Sequence, residues 1–224
     1  MSDEGPTRAV AEWRAAYLRV TDLLHDIDDS AAATRVPSCP AWTVRDLLAH
    51  MVGLDADVLA GNEPDDHHRA WTQAQVDARA GTSVGELLAE WAGLAEPLQE
   101  WMHAHTTRPL ADLVIHEQDL RDALNVPGGQ DTEGPRMVRD RMLARFASRL
   151  DGLPPIALVA DTWQWCSAGE PGEAVAVVEA SEFDLARALV SRRSADQLRS
   201  WTTRGDLTPY LSAFEVLGPL PATP

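Results

Sequence analysis

Two histidines and two aspartates have the spacing of a metal site. Leucines stand three residues before His50 and four after it, so its imidazole is predicted to point inward along the apolar stripe of a helix. Asp112, His116 and Asp119 stand at positions i, i+4 and i+7 of another predicted helix and therefore share one face. Two imidazoles and a carboxylate from facing helices can hold a divalent metal and leave a coordination position open for catalysis.

The predicted ligands are His50, Asp112 and His116, and a plainer interpretation stands beside this one. Asp119 would support His116 as a carboxylate behind the ring, or would serve as a further ligand. Each histidine also fits a core residue whose ring nitrogens are hydrogen-bonded to protein groups. An aspartate and a histidine four residues apart equally fit a hydrogen bond along one helix. The spacing by itself leaves both interpretations open.

The helix that carries His50 has a well-marked start. Thr43 and Asp46 have the spacing of a capping box, in which each side chain binds a backbone N–H of the first turn. Trp42 precedes the cap, where the first residue of a hydrophobic staple stands. Cys39 is either a small core residue or a reactive thiol, and its neighbours in the sequence favour the core.

Apolar residues recur at spacings of three and four through most of residues 1–152, which is typical of a helical bundle. Helices are predicted over about 6–28, 43–61, 83–105, 109–124 and 133–150. Residues 65–80 are polar and weakly periodic, which indicates a short helix or a lid. His67 and His68 lie there, and because adjacent helical residues point roughly 100° apart, they are predicted to be solvated and not to share a metal.

The helical periodicity of the sequence ends at Gly152-Leu-Pro-Pro155, and the residues that follow are rich in Val, Ile and Trp. This change marks the predicted boundary between domains 1–152 and 153–224. Strands are predicted over 156–165 and 174–178, joined by a hairpin turn at 167–172. Short helices are predicted over 183–190 and 207–214. The predicted fold is therefore mainly α, with an N-terminal four-helix bundle followed by a small α+β C-terminal domain.

The composition argues against several classes of function. The 224-residue chain has a formal net charge of −16 and contains no lysine, which disfavours nucleic acids and anionic membrane surfaces as partners. No apolar run approaches the roughly 20 residues that span a bilayer, and the first residues lack the basic and apolar regions of a signal peptide. Two cysteines are too few for a disulfide framework. We therefore predict a cytoplasmic protein.

Residues 36–50, Val-Pro-Ser-Cys-Pro-Ala-Trp-Thr-Val-Arg-Asp-Leu-Leu-Ala-His, resemble the hallmark motif of the mycothiol-dependent maleylpyruvate isomerase family. That family lies within the DinB-like superfamily of metal-binding four-helix bundles. Its second hallmark is an acid four residues before a histidine and an Asp three after it, to which Asp112, His116 and Asp119 are similar. The segment Asp161-Thr-Trp-Gln-Trp165 resembles the C-terminal α+β domain of many members. The resemblance implies a DinB-like bundle in which the three predicted ligands hold the metal.

The chemistry that the resemblance implies is thiol chemistry in an actinobacterial cytoplasm. A divalent metal, Zn²⁺ by default, would activate the low-molecular-weight thiol mycothiol for attack on an electrophilic carbon of a small substrate. Addition, bond rotation and elimination would isomerise a cis alkene, whereas addition or displacement alone would make the protein an S-transferase. Trp42 and Arg45 are predicted to line the substrate site. Nothing in the sequence marks a dimer interface.

Two further functions stay open. Many members of the family have Glu where this chain has Asp112, and the shorter side chain favours a non-catalytic metal- or ligand-binding protein of the same fold. The other alternative is a hydrolase that uses metal-bound water and needs no thiol. Turnover measured with and without mycothiol distinguishes the three functions.

Overall fold

The computed structural model describes residues 4–64 and 68–222, and the chain divides into two compact units, 1–134 and 135–224. Residues 1–3, at the start of the segment without signal-peptide character, lie outside the described residues, and so does His67. None of the described helices combines the length and the apolar character that crossing a bilayer requires.

The first unit contains the long helices of the predicted bundle. In chain order its elements are α1 (Glu4–Leu24), α2 (Asp29–Ala32), β1 (Arg35–Val36), β2 (Cys39–Thr43), α3 (Val44–Ala60), α4 (Arg69–Asp77), α5 (Val84–Ala104) and α6 (Pro109–Leu124). Helices α1 and α3 each pack against both α5 and α6, which closes the four long helices into a bundle. The predicted four-helix fold is confirmed.

Apolar side chains from all four long helices form the core of the bundle. The buried members include Trp13, Val20, Leu47, Leu48, Trp91, Leu98, Leu113 and Leu120. Tyr17 links two of the large rings, because it stacks on Trp13 at 5.4 Å between centroids and meets Trp91 edge-on at 4.8 Å. Removal of this apolar surface from water is the main force that holds the helices together.

Helix α3 begins as the capping box predicts. The backbone N–H of Thr43 donates to the Asp46 carboxylate at 2.9 Å, and the N–H of Asp46 donates to the Thr43 hydroxyl at 3.2 Å. Gly61 ends the helix at φ +70°, in the left-handed conformation that glycine adopts without a steric cost. Both ends of the helix that carries His50 are therefore determined by local chemistry.

The segment between α1 and α3 contains structure that its periodicity does not predict. Helix α1 ends at Leu24 and not near Asp28, because Asp28 caps the separate helix α2 by accepting a hydrogen bond from the Ala31 N–H at 2.8 Å. Strands β1 and β2 form an antiparallel pair directly before α3. In the polar stretch 65–80, the predicted short helix is present as α4.

The second unit combines short helices with a four-stranded sheet. Its elements are α7 (Glu133–Ala147, which begins at the end of the first unit), β3 (Ile156–Val159), β4 (Gln164–Cys166), a 3₁₀ helix (Pro171–Glu173), β5 (Ala176–Glu179), α8 (Glu182–Ala188), α9 (Ala195–Ser200), β6 (Thr202–Arg204) and a second 3₁₀ helix (Thr208–Phe214). The strand order is β4-β3-β5-β6. Strands β3 and β5 are parallel, and the other neighbours are antiparallel.

The hairpin predicted at 167–172 is wrong. The stretch 156–165 turns back on itself, with the Ala160 N–H donating to the Trp163 carbonyl at 2.8 Å, and forms the β3–β4 hairpin. Because β5 pairs with β3 in parallel, the segment 167–172 connects β4 to the opposite side of β3. An apolar run has the same pattern whether it forms one strand or a tight hairpin, so the sequence could not distinguish them.

The two compact units divide within α7, between Gly134 and Pro135. Most of α7 belongs with the second unit, since its Phe146 ring lies 4.6 Å from Phe214 and 5.7 Å from Trp165 between centroids. The amphipathic pattern of α7 predicts a helix but not the partner that buries it. As separate domains, 1–152 and 153–224 stay a prediction.

Candidate metal centre

Helices α3 and α6 bring the three predicted ligands together. His50 lies in the second turn of α3, whose start the Thr43 capping box determines. Asp112 lies in the first turn of α6 and His116 lies one turn later; Pro109 suits the start of that helix because its φ is already helical. Since α3 packs against α6, side chains from the two helices meet.

The ligand atoms converge at the distances of a coordination shell. Oδ1 of Asp112 lies 3.5 Å from Nε2 of His50 and 3.4 Å from Nε2 of His116. The three residues offer ligand atoms that all lie within 4.8 Å of one another. These separations exceed a charge-assisted hydrogen bond of about 2.7–2.9 Å. They match the edge of a zinc tetrahedron, about 3.3–3.6 Å for metal–ligand bonds of about 2.0–2.2 Å.

Hydrogen bonds on the far side of each ring determine which nitrogen faces the centre. Nδ1 of His116 lies 3.0 Å from Oδ2 of Asp119, a carboxylate that can only accept, so Nδ1 carries the proton. Nδ1 of His50 lies 2.7 Å from Oε1 of Gln75, also an acceptor. In the neutral rings both Nε2 atoms therefore direct lone pairs toward the Asp112 carboxylate. Three electron-pair donors face one another there, and such a cluster requires a cation.

The pKa values reflect the same requirement in the metal-free protein. Burial alone would lower the pKa of His116, but the Asp112 charge and the hydrogen bonds to Asp112 and Asp119 outweigh it and raise that pKa to about 9. Burial would raise the pKa of Asp112, but the charges of His116 and His50 hold it well below its usual range. A proton balances the carboxylate when no metal is bound. The donor set therefore fits a divalent metal, and the assignment of a metal to it stays a prediction.

The centre is enclosed on the side of the rings and open at the carboxylate. The side chains of His50 and His116 are 4% and 9% exposed, whereas that of Asp112 is 22% exposed. Asp119 is fully buried behind His116, where a supporting carboxylate is expected to lie. Of the three side chains, that of Asp112 is therefore the most accessible to a second molecule.

The two residues predicted to line the substrate site differ in position. The Trp42 indole lies 5.0 Å from the His50 ring between centroids, and its Nε1–H donates to Gln73 Oε1 at 3.0 Å. Arg45 is exposed on the first turn of α3 and makes no hydrogen bond or ion pair within the described residues. Trp42 therefore borders the centre, and Arg45 does not contact its ligands.

Gln75 and Cys39 lie at this centre and were not predicted to do so. Gln75 comes from the polar stretch interpreted as a short helix or lid, and no spacing relates position 75 to His50. Cys39 is half-buried, and its Sγ lies within 4.8 Å of ligand atoms of His116 and Asp119. The closeness of β2 to α6 follows from the tertiary structure alone.

Asp55 is a further buried acid on α3, five residues beyond His50. Its Oδ2 accepts a hydrogen bond from Nε1–H of Trp91 at 2.7 Å. Burial raises the pKa of Asp55 well above its usual value; the charge of Asp112 raises it further, and the Trp91 hydrogen bond opposes the shift. The helical spacing of Asp55 from its apolar neighbours indicates a position near the buried stripe of α3, but nothing in the sequence identifies Trp91 as its partner.

Comparisons with known proteins agree with the sequence motif. Residues 13–109 match the family model described as the mycothiol maleylpyruvate isomerase N-terminal domain. The matched segment contains His50, Trp42 and Arg45 and ends before Asp112. No curated protein matches the sequence significantly.

Two solved structures share the fold. They are the crystal structure of the mycothiol-dependent maleylpyruvate isomerase and that of a histidine-to-alanine mutant of it. Each is 13% identical to this chain with a TM-score of 0.57, and the match covers 86% of this chain and 92% of the other. At this identity the likeness shows the fold alone. Through residues 13–109, the chain is similar to the mycothiol maleylpyruvate isomerase N-terminal domain, which confirms the predicted resemblance.

Proposed function

We propose that this chain is a mycothiol-dependent metalloenzyme that acts on a small electrophile as a cis–trans isomerase or an S-transferase. The metal would be held by His50, Asp112 and His116, and Zn²⁺ is the first choice for two imidazoles and a carboxylate. When bound, the metal supplies positive charge that stabilises a thiolate and so makes the thiol a nucleophile at neutral pH.

The observation that carries the proposal is the convergence of three possible ligand atoms, which all lie within 4.8 Å of one another. With both rings neutral, the Nε2 lone pairs of His50 and His116 face Oδ1 of Asp112, and in the metal-free protein a proton on His116 balances that carboxylate. A divalent metal would replace that proton and use all three atoms at once. Oδ1 of Asp112 is nearly equidistant from the two Nε2 atoms, which supports Asp112 as a ligand despite its shorter side chain.

Each residue around the centre has a defined task in this proposal. Asp119 and Gln75 hold the two rings through Nδ1, which keeps both Nε2 lone pairs directed at the centre. The buried rings exclude water on their side, and the thiol approaches beside the part-exposed Asp112. Trp42 forms an apolar wall next to His50, and Arg45 would attract an anionic group of the substrate from the rim.

The partners in this proposal are small molecules in an actinobacterial cytoplasm. Mycothiol and a small electrophile are the two substrates, and the net charge of −16 disfavours nucleic acid. Cys39 and Cys166 form no disulfide, which fits a compartment that keeps a low-molecular-weight thiol reduced.

The metal is tested by elemental analysis of the purified protein. We expect about one Zn²⁺ per wild-type chain and almost none in the His50→Ala/His116→Ala variant, because loss of two ligands removes most of the coordination shell. The matched control is His25→Ala/His103→Ala, which removes two exposed histidines and should keep the metal. Far-UV circular dichroism of each variant separates loss of metal from loss of folding. Absence of metal in the wild type, with no stabilisation by added Zn²⁺, would contradict the proposal.

The reaction is tested with maleylpyruvate, for isomerisation, and with 1-chloro-2,4-dinitrobenzene, for S-transfer. Each substrate is assayed with and without mycothiol, and with the metal present or removed by a chelator. We expect turnover of one of them that requires both the thiol and the metal. Turnover without a thiol would indicate a hydrolase in its place, and a bound metal without any turnover would indicate a binding protein.

A further inference from the structure

One side chain of α4, Gln75, reaches into the metal centre. It is buried, and its Oε1 lies 2.7 Å from Nδ1 of His50. Its Nε2 lies 2.8 Å from Oδ2 of Asp57, which belongs to α3. A chain of hydrogen bonds thus runs from the carboxylate of Asp57 through the amide of Gln75 to the imidazole of His50.

The direction of each hydrogen bond in this chain follows from its carboxylate end. A carboxylate only accepts, so Gln75 must donate to Asp57 through its Nε2–H. Its Oε1 then faces His50 and accepts, so Nδ1 of His50 must carry the proton. A neutral imidazole has one proton, and Nε2 therefore keeps its lone pair. In this way Asp57 determines which nitrogen of His50 can ligate a metal, although its own hydrogen bond ends at Gln75.

Gly53 permits the close approach of α4 to α3 on which this contact depends. A Cβ at residue 53 would lie 2.5 Å from Cβ and 2.9 Å from Cγ of Gln75, closer than such atoms approach in proteins. Arg79, two residues after α4 ends, also holds the end of this helix in place. It donates to the Gln75 carbonyl at 3.3 Å and pairs with Glu90 of α5 at 2.6 Å. The backbone around Gln75 is therefore held at a defined distance from His50.

The two histidines are held by different groups. Nδ1 of His116 donates to the carboxylate of Asp119, which adds negative charge beside the ring. Nδ1 of His50 donates to the neutral amide of Gln75, and the carboxylate of Asp57 lies behind that amide. We propose that Gln75 is a positioning residue that makes His50 an Nε2 ligand, with Asp57 orienting the Gln75 amide. This inference rests on the proposed metal centre.

The test is titration of the purified, metal-free protein with Co²⁺. Gln75→Ala removes the acceptor, and we expect affinity to fall by about 10–100-fold, the usual effect of removing a partner behind a metal ligand. Asp57→Asn provides an amide that can also donate, so the Gln75 amide can turn over and present its NH₂ to His50. We expect a smaller loss, up to about tenfold.

The sharpest variant exchanges the acid and the amide. In Asp57→Asn/Gln75→Glu the new amide at position 57 can donate to the new carboxylate at position 75, which accepts from His50. The hydrogen bond between positions 57 and 75 reverses its direction, whereas position 75 still presents only an acceptor to His50 and the net charge is unchanged. We therefore expect Co²⁺ affinity to return to the wild-type level. A merely structural role for the Gln75 amide would not produce this rescue.

A matched control lies two residues earlier on α4. The amide of Gln73 donates to Asp77 at 2.9 Å, as that of Gln75 does to Asp57, but its Oε1 accepts from the indole of Trp42 and not from a ligand. Asp77→Asn should therefore leave Co²⁺ affinity unchanged. Thermal unfolding of every variant shows whether a loss of affinity is a loss of folding.

A second readout needs no metal. The ¹⁵N shifts of His50, recorded where its ring carries one proton, should place that proton on Nδ1 in the wild type and shift it toward Nε2 in Asp57→Asn. If the wild type binds Co²⁺ and all variants bind it equally, the positioning role is wrong and the proposed function stands. If the wild type binds no Co²⁺, the metal centre is wrong, and a proton on Nε2 of wild-type His50 would overturn the inference as well.

Discussion

The interiors of the two compact units differ in the kind of groups they bury. Among the described residues, the buried polar side chains of the first unit are His50, Asp55, Gln75, His116, Glu117, Gln118 and Asp119. Those of the second unit are Arg187, Ser191 and Ser194. Moving an ionisable group out of water is energetically unfavourable. The buried polar groups of the first unit therefore lower its stability more than those of the second unit do.

The buried charges of the first unit are themselves of two kinds. Glu117 is paired on both sides: its carboxylate accepts two hydrogen bonds from Arg19, at 2.9 and 2.8 Å, and one from Arg121 at 3.1 Å. At the candidate metal centre, by contrast, a carboxylate and two imidazoles that can each act as a metal ligand face one another. A buried charge with matched donors is explained by its structural role, whereas a cluster of possible ligands is a candidate functional site.

Apart from the buried Arg187, the second unit keeps its charged contacts near the surface and its interior largely apolar. Glu182 accepts hydrogen bonds from Arg139 at 2.6 Å and from the Thr162 hydroxyl at 2.6 Å, in partly exposed surroundings. Phe146 and Phe214 fill the interior below. The core of the second unit thus mainly supplies stability, whereas that of the first unit also contains a candidate functional site. Three substitutions test this contrast.

The largest effect is expected in the apolar core. Phe214→Ala should lower the free energy of unfolding by about 3–5 kcal/mol, because it removes a fully buried ring that packs on Phe146. Urea unfolding at pH 5 and pH 8 should give the same loss, since the contacts contain no titrating group. The control Leu217→Ala, at an exposed position, should change stability by less than about 0.5 kcal/mol. A loss that varied with pH would contradict the contrast.

A smaller and opposite effect is expected at Asp55 in the polar core. Its pKa is raised in the folded protein, so folding binds a proton, and the free energy of unfolding falls as pH rises above about 4, the pKa of an unfolded Asp. Asp55→Asn keeps an acceptor for Trp91 and has no proton to lose. We expect it to stabilise the protein by about 0.5–2 kcal/mol near pH 8 and by less near pH 4.

Urea unfolding of Asp55→Asn across this pH range, with Zn²⁺ held constant, measures the difference. The variant's stability curve should lack the decline that Asp55 produces in the wild type. An equal gain at both ends of the range, or a loss near pH 8, would mean that Asp55 is not the source of the pH dependence.

The smallest effect distinguishes two candidate ligand sets. Cys39 lies close to His116 and Asp119, but Nδ1 of that histidine is already bound to Asp119, so the metal should use Nε2 on the other side. Cys39→Ser should therefore keep the wild-type metal content and Co²⁺ affinity. The Co²⁺ protein should likewise show no thiolate-to-cobalt charge-transfer band. Loss of metal in this variant would indicate that Cys39 is one of the metal ligands.

Local chemistry in the sequence was enough to predict most of the bundle. The capping box at Thr43 begins α3 where predicted, because capping depends on residues three positions apart. Ser83, at the start of the helix predicted over 83–105, caps α5 in the same way. The spacing of Asp112, His116 and Asp119 places them on one face of α6, because helical geometry is the same in every protein. The β3–β4 hairpin was missed because one apolar run fits a single strand as well as a tight hairpin, and the parallel β3–β5 pair was missed because it joins segments that are distant in sequence.

The sequence by itself determined which residues could ligate a metal, which helices carry these residues and which faces of those helices are apolar. Only the tertiary structure decided that Oδ1 of Asp112 lies between two Nε2 atoms, and that Gln75 lies behind His50. The reason is physical: hydrogen bonds and helical periodicity act over a few residues, whereas contacts between α3, α4 and α6 depend on how whole helices pack. A single glycine, Gly53, decides whether α4 can approach closely enough to orient a ligand.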